Sequence, residues 1–451
     1  MSKQKILTNL NLFKGDNDEL INDATIFIDG NTIRYSGPSS GFNSSSNDFE
    51  VFDLKGKTVI PGMTESHAHL SYTNNGPLEL EKTPVEEAMI KTVDNARVML
   101  GSGFTSAISF GSIHRIDVFL RNAINSGSIP GPRLLAGGRD ICAIGGNADT
   151  YPDYAKPQTD GLAMITDGPW EIRKAVRTLW KNGVDVVKVM IDGELISLQG
   201  RPGDLGYKDE EVEALVDEAH RKKMKVACHA RSAEAVKQAV RAGIDFIGHA
   251  NYIDEEALEL LIKNKDKLFV GPGIAWEIAF LENSEKMGFS KDSKEVDAYR
   301  EEVDQTIISY KRMKKEGIRI LVGGDYGLDI APHGTYAKDL EHYVNLFGFS
   351  NAEALHAATS LGGQAMDSNG SLGTLEEGKL ADLVIINGNP LEDITVLQNH
   401  ECIDTVMKDG LMYKGLLNNK SPYLVSDEVS YLSKVYNHHS CNNQRCPKNS
   451  P

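Results

Sequence analysis

The 451-residue sequence predicts an α/β fold: a (β/α)8 TIM barrel with a small β-sandwich-like domain built from both chain ends. Three observations predict it. Between Thr58 and Gly363, strand-like runs alternate with helix-like ones, and the strands number eight. Side chains able to bind a metal recur at the ends of those strands. Short strands separated by turn residues open and close the chain, and neither group is large enough to bury a face alone. The expected division is 1–57 with 370–416 as a composite β domain, 58–369 as the barrel, and 417–451 as a partly mobile extension.

The N-terminal strands fall at 6–10, 24–28 and 32–35, with Asp29, Gly30 and Asn31 as a hairpin signal between the last two. Residues 39–47 are a Ser/Asn/Gly-rich loop. The apolar run from Thr58 opens the barrel. Helical spacing at 86–100 precedes a strand at 104–110, a helix at 116–125 precedes a strand at 133–136, and an amphipathic stretch at 170–181 precedes 184–191. The helix at 209–222 has a carboxylate-rich first turn, which suits the positive end of the helix dipole, and leads to the strand 225–229. Helices at 234–241, 255–264 and 295–316 lead to strands at 246–249, 268–271 and 318–325. Beyond a helix at 352–358, turn-punctuated strands return at 373–386, and Asp409-Gly410 makes a second hairpin.

A net charge of −16 and a pI near 5.3 argue against nucleic acid or anionic membrane as partners, since both select basic surfaces. The first residues carry no apolar stretch or cleavage site, and no apolar run approaches the ~20 residues of a membrane span. Five scattered cysteines suit a reducing compartment, so a cytoplasmic protein is expected. His438, His439, Cys441 and Cys446 near the C-terminus read as a mobile polar tail or as a small metal cluster.

The chemistry is organised around His67 and His69. Residues i and i+2 of a strand share a face, so both imidazoles reach one ion. Lys188, His229, His249 and Asp325 stand at later strand ends, and spacing in multiples of a ~30-residue βα unit places the set on strands 1, 4, 5, 6 and 8. Barrel chemistry gathers at those ends. An inward Lys188 needs either a buried acid or conversion by carbon dioxide to an anionic carbamate that bridges two metals. His229 and His249 are ligands or hydrogen-bonded core residues. Asp325, after Gly323 and Gly324, is a ligand that also faces a bound water, or a helix N-cap. Arg231 shares the face of His229 and could fork onto a substrate carboxylate or close a loop salt bridge. His333 could orient substrate or cap a helix. Tyr72, Asn147 and Tyr252 are pocket-lining candidates from loop position.

These residues resemble the amidohydrolase superfamily. The resemblance rests on Pro61-Gly62 before His67 and His69, Lys188 between Val187 and Val189, His229, His249, and Gly323-Gly324-Asp325, with a closing segment from Leu372 to Ile386 and then Asn389 to Asp393. Gly131 to Leu135 and Gly145-Gly146 are similar to the imidazolonepropionase-related branch, which includes prolidase-like metallocarboxypeptidases, ochratoxin-type amidases and phenylurea or carbamate hydrolases. Many relatives carry a histidine after that Gly-Gly, where this chain has Asn147. The resemblance implies two divalent ions, zinc being expected: His67, His69 and Asp325 hold one, His229 and His249 the other, and carbamylated Lys188 bridges them. It further implies that a metal-activated hydroxide attacks a carbonyl while Asp325 takes the proton and passes it to the leaving nitrogen. The expected activity is a carboxypeptidase or N-acyl amino acid amidohydrolase, with hydrolysis of a carbamate, phenylurea or cyclic amide as the alternative and a non-catalytic scaffold as a third reading. The expected partners are a small-molecule amide or peptide and other copies of the chain in a homo-oligomer.

Overall fold

The two chain ends share one sheet because the strand Thr58–Pro61 pairs on both sides: antiparallel with Leu383–Ile386 and parallel with Gln4–Phe13. The computed structural model describes residues 4–43, 48–154, 160–197, 199–414 and 416–417, so the His/Cys positions of the tail lie outside the described residues. The sheet runs Leu411–Tyr413, Ile403–Lys408, Leu383–Ile386, Thr58–Pro61, Gln4–Phe13, Leu20–Asp29 and Thr32–Pro38, with Phe49–Asp53 parallel to Gln4–Phe13. Alternating residues such as Ile26 with Ile28 and Leu383 with Ile385 bury one face of it together with Leu7, Leu12 and Val59. Asp409 and Gly410 both have positive φ (53° and 70°), the requirement of the tight turn that joins Ile403–Lys408 to Leu411–Tyr413.

The middle of the chain forms two parallel sheets. One orders Met63–Ala68, Phe104–Ser109 and Arg133–Leu135; the other orders Ala163–Thr166, Asp140–Ala143, Val186–Met190, Lys225–Ala230, Phe246–His249 and Phe269–Gly271. Helices lie between most successive strands, though none separates Arg133–Leu135, Asp140–Ala143 and Ala163–Thr166, and several start on side-chain caps that satisfy a free N–H: Ser232, Asp254, Ser293 and Ser350 accept from the third residue beyond. Both sheet edges are linked. The Ala136 carbonyl accepts from the amides of Asp185 and Val186. On the other side, residues 318–326 bridge Val270 through Ile320 and Ala68 through Tyr326. That segment, expected as a regular strand at 318–325, makes only isolated bridges, because Gly323, Gly324 and a left-handed Asp325 interrupt the ladder. Ile108, Val186, Ala227, Phe246, Phe269 and Leu321, one from each of six segments, pack into one buried cluster with Ala365 of the helix Ser360–Met366. The arrangement is a TIM-barrel-like α/β fold. Among the described residues no helix is long and apolar enough to cross a membrane.

Arg133 ties the two parts together. From the strand Arg133–Leu135 its Nε and Nη2 reach Asp382 at 3.0 and 3.2 Å, and Nη2 also meets Asp409. Asp382 is 4 % exposed, so removing the cation strands a buried carboxylate. Complete loss of a buried partner costs ~3–5 kcal/mol. With the Arg133 side chain 23 % exposed, Arg133→Ala should cost about 2 kcal/mol, read as a lower thermal midpoint with unchanged metal content.

Candidate metal centre

His67 and His69 leave the end of the strand Met63–Ala68, Lys188 sits within Val186–Met190, His229 within Lys225–Ala230, and His249 closes Phe246–His249. All five, with Asp325, line one cavity of about 120 Å3. Ring centroids lie 5.2 Å apart for His67 and His69, 5.1 Å for His67 and His249, and 4.3 Å for His229 and His249. Asp325 Oδ1 stands 3.0 Å from His69 Nε2 and 3.6 Å from His67 Nε2. The donor atoms of His67, His69 and Asp325 fall within 4.8 Å of one another, close enough for one ion. Lys188 Nζ lies 4.6 Å from the centre of the Phe110 ring, which packs on His67 at 4.2 Å.

This convergence needs unusual backbone. His249 (φ 78°) and Asp325 (φ 62°) are both left-handed, a conformation that costs an L-residue ~1–2 kcal/mol and persists only where surroundings enforce it. The Tyr310 hydroxyl donates to the His249 carbonyl at 2.7 Å and braces that turn. Gly323 permits the approach of the last segment: a Cβ there would stand 2.7 Å from the His67 amide nitrogen and 2.8 Å from its Cβ. Glu65 joins the same two segments, its Oε1 accepting from the amides of His67 at 3.0 Å and Gly324 at 3.3 Å.

The electrostatics fit a cation. Gly111 and Gly193 carbonyls accept from His69 Nδ1 (3.1 Å) and His229 Nε2 (3.2 Å), which fixes the tautomers and leaves His69 Nε2 and His229 Nδ1 basic. Nδ1 of His67 and of His249 is buried without a hydrogen-bond partner among the described residues. Burial holds His67, His229 and His249 well below the usual imidazole range, so they are neutral, the ligand form. Burial opposes ionisation of Asp325, but His67 and His69 outweigh it and keep the carboxyl well below its usual range. Lys188 is 1 % exposed, and among the described residues its Nζ makes no hydrogen bond or ion pair; burial lowers its pKa. The donor set of imidazoles and a carboxylate is one that binds zinc-like divalent ions.

The remaining candidates divide. Tyr72 and Asn147 line the cavity, Tyr72 stacked on His69 at 4.3 Å and 12°, and Asn147 accepting from the Ser197 hydroxyl. His333 does not line it: both ring nitrogens are used, Nε2 donating to the Tyr72 carbonyl at 2.9 Å and Nδ1 accepting from the Tyr336 hydroxyl at 2.8 Å. Tyr252, half-buried and paired with Glu302, lies outside the lining as well. Arg231 departs furthest from expectation. Its side chain is fully buried, with Nη1 2.6 Å from Glu302 and 3.2 Å from Glu277 and Nη2 2.9 Å from Glu194. A guanidinium removed from water must be matched where it lies, so this one cannot also reach for a substrate in the structure seen.

Two acids that sequence reasoning passed over do line the cavity: Asp140 and Glu194. Burial pushes Asp140 up to about 7, and its Oδ1 has no partner among the described residues. The available signal was an acid just past a strand end, as Glu194 is past Val186–Met190.

A TIM-barrel-like fold carrying a His/Asp cluster at its strand ends defines a class of hydrolytic enzymes. The Amidohydrolase family profile matches residues 58–412, and the chain belongs to that family: it is a hydrolase acting on C–N bonds. It is similar to ochratoxinase from Aspergillus niger, 28 % identical over 429 residues that cover 90 % of this chain and 85 % of that protein. Among solved structures it is similar to a Xaa-Pro dipeptidase with methionine bound in its active site (33 % identity, TM-score 0.78, 91 % of this chain and all, 100 %, of that one). It is also similar to a prolidase complexed with N-methylphosphonate-L-proline (27 % identity, TM-score 0.83, 91 % and 99 % covered).

Two outcomes follow from this geometry. Arg231→Met should destabilise the protein by about 3–5 kcal/mol and lower turnover of all substrates together, whether or not they carry a carboxylate, since it leaves Glu277 and Glu302 buried and unmatched. Gly323→Ala should cost ~1–3 kcal/mol through overpacking against His67 and weaken metal retention, measured by thermal melting and elemental analysis after dialysis.

Proposed function

We propose that this chain is a binuclear metal-dependent hydrolase of amide or peptide bonds in small molecules, acting as a carboxypeptidase, dipeptidase or N-acyl amino acid amidohydrolase. The observation that carries the reading is a buried set of neutral imidazoles around an anionic Asp325, with ring nitrogens of His67 and His249 unpartnered and Lys188 unpaired among the described residues. His67, His69 and Asp325 would hold one ion and His229 and His249 the second. Lys188 would join them after its neutral amine attacks carbon dioxide and sheds a proton, leaving a carbamate anion where an ammonium would have no ion-pair partner among the described residues. When bound, the ion pair supplies an acidified water and a polarised substrate carbonyl.

Asp325 then acts as the proton carrier: it accepts the water's proton as the oxygen attacks the carbonyl carbon, and returns it to the nitrogen as the C–N bond breaks. Tyr72, stacked on His69 and fastened at its carbonyl by His333, orders the edge of the cavity. The ochratoxinase, dipeptidase and prolidase likenesses support a substrate of this size and bond type. The same reading takes the linked parallel sheets as one eight-stave barrel over 58–369, with 1–57 and 370–416 as a β-sandwich-like domain. It also takes the protein as cytoplasmic and homo-oligomeric. Cys142, Cys228 and Cys402 are free thiols, and Val85, Ile90 and Phe119 are exposed apolar residues on the helices Val85–Gly101 and Ile116–Asn125.

A second reading, hydrolysis of a carbamate, phenylurea or cyclic amide, gains from the withdrawal of Arg231, because such substrates need no carboxylate partner. Assay of the metal-loaded protein against dipeptides, N-acyl amino acids and aryl carbamates separates the two. Lys188→Ala should lose bound metal together with turnover. It should also lose the carbamate signal that 13C-bicarbonate gives the wild type by NMR. Full metal occupancy and activity in that variant would sink the two-metal reading.

A further inference from the structure

Glu194 has the geometry of a recognition group that no step above uses. It stands in the loop after Val186–Met190 and lines the same cavity as the six proposed ligands. Three donors converge on its Oε1: Arg231 Nη2 at 2.9 Å, Trp276 Nε1 at 2.8 Å and the Tyr299 hydroxyl at 2.9 Å. That fills one oxygen and sets the plane of the carboxylate. Its Oε2 has no partner among the described residues, and the side chain retains 17 % exposure where Arg231, Glu277 and Glu302 have none.

The loop is held as firmly as the side chain. Asp192 accepts from the amides of Arg231 (2.9 Å), Ser232 (2.9 Å) and Gly203 (3.1 Å), and the Gly193 carbonyl takes the N–H of His229. A group fixed in this way pays little reorganisation when it binds. Charge points the same way. One guanidinium faces three acids; Glu277 and Glu302 are sealed in the interior, where the unpartnered Oε2 of Glu302 meets no ligand, and Glu194 is the one whose open oxygen lies at the cavity. Among the described residues no arginine lines the cavity, and Lys188 is the one lysine that does. The lining therefore offers acceptors to a cation and no committed partner to an anion.

We propose that Glu194 receives the protonated α-amino group of the substrate through Oε2, so that the site selects aminoacyl compounds with a free amino end over their acylated counterparts. The inference rests on the amide-hydrolase reading above and narrows it. Size ties the amine to the α position: at about 120 Å3 the cavity is far below the ~300–1,000 Å3 of drug-sized pockets, so groups lining it act on neighbouring atoms of one ligand. In an aminoacyl amide the ammonium is two bonds from the carbonyl carbon under attack. A charge-assisted hydrogen bond of this kind is worth about 10- to 100-fold in kcat/KM.

The test uses the metal-loaded full chain with alanyl-leucine and alanyl-proline, each against its lactoyl counterpart, in which a hydroxyl of similar size replaces the ammonium. The wild type should prefer the free amine by about 10- to 100-fold. Glu194→Gln, which keeps an oxygen for the three donors, should collapse that ratio toward one; a purely structural role would lower both substrates together and leave the ratio intact. Equal rates on the matched pairs, an unmoved ratio in the variant, or turnover confined to N-acyl amino acids would overturn the inference and leave the hydrolase reading standing. Failure to cleave any of these peptides or acyl amino acids would remove both.

Discussion

Removing an ionisable side chain from water costs several kcal/mol unless something inside the protein replaces the lost solvation, and that constraint shapes everything around this cavity. Imidazoles meet it by staying neutral. His67, His229 and His249 lose their charge to burial, while Asp325 keeps its own because histidines crowd it. Arg231 cannot become neutral and therefore draws in three carboxylates. Lys188 is the unmatched member, buried with an aromatic face beneath it and no acid within ion-pair distance among the described residues. A site with this balance is arranged for charges that arrive later.

Holding such groups together is expensive for the backbone, and the surrounding segments absorb the cost. His249 and Asp325 adopt left-handed conformations, with Tyr310 bracing the first and the close passage of Gly323 permitting the second. Glu65 cross-links the first and last segments by their amides, and the helix Ser360–Met366 helps fill the interior. Because these supports lie on strands and helices, the ligand positions inherit the rigidity of the parallel sheets. The Arg133 link to Asp382 and Asp409 extends that rigidity to the sheet made by the chain ends.

Much of the fold was legible because period and punctuation carry it. The helices expected at 116–125 and 255–264 coincide with Ile116–Asn125 and Glu255–Asn264, where an apolar stripe at helical spacing is flanked by turn residues. The helix Ile274–Asn283 escaped notice: it is apolar on most sides and shows no clean stripe, though it carries the buried Glu277. The pairing of Asp140–Ala143 with Ala163–Thr166 was likewise invisible, since register between distant strands depends on partners that local pattern does not name. At 318–325 the alternation promised a strand, and two glycines and a left-handed aspartate undid it.

The sequence by itself determined which residues could do chemistry: a β strand turns His67 and His69 to one side, and strand ends present Lys188, His229, His249 and Asp325 to a common region. Those are consequences of local geometry and chain order. What each polar group beyond them does was decided only by the tertiary structure. Arg231 and His333 looked available from their positions, yet one is spent on Glu194, Glu277 and Glu302 and the other on Tyr72 and Tyr336, while Glu194 and Asp140 emerged at the cavity instead. The physical reason is that a hydrogen bond or ion pair is settled by distances between segments far apart in the chain, and such distances exist only once the core has packed.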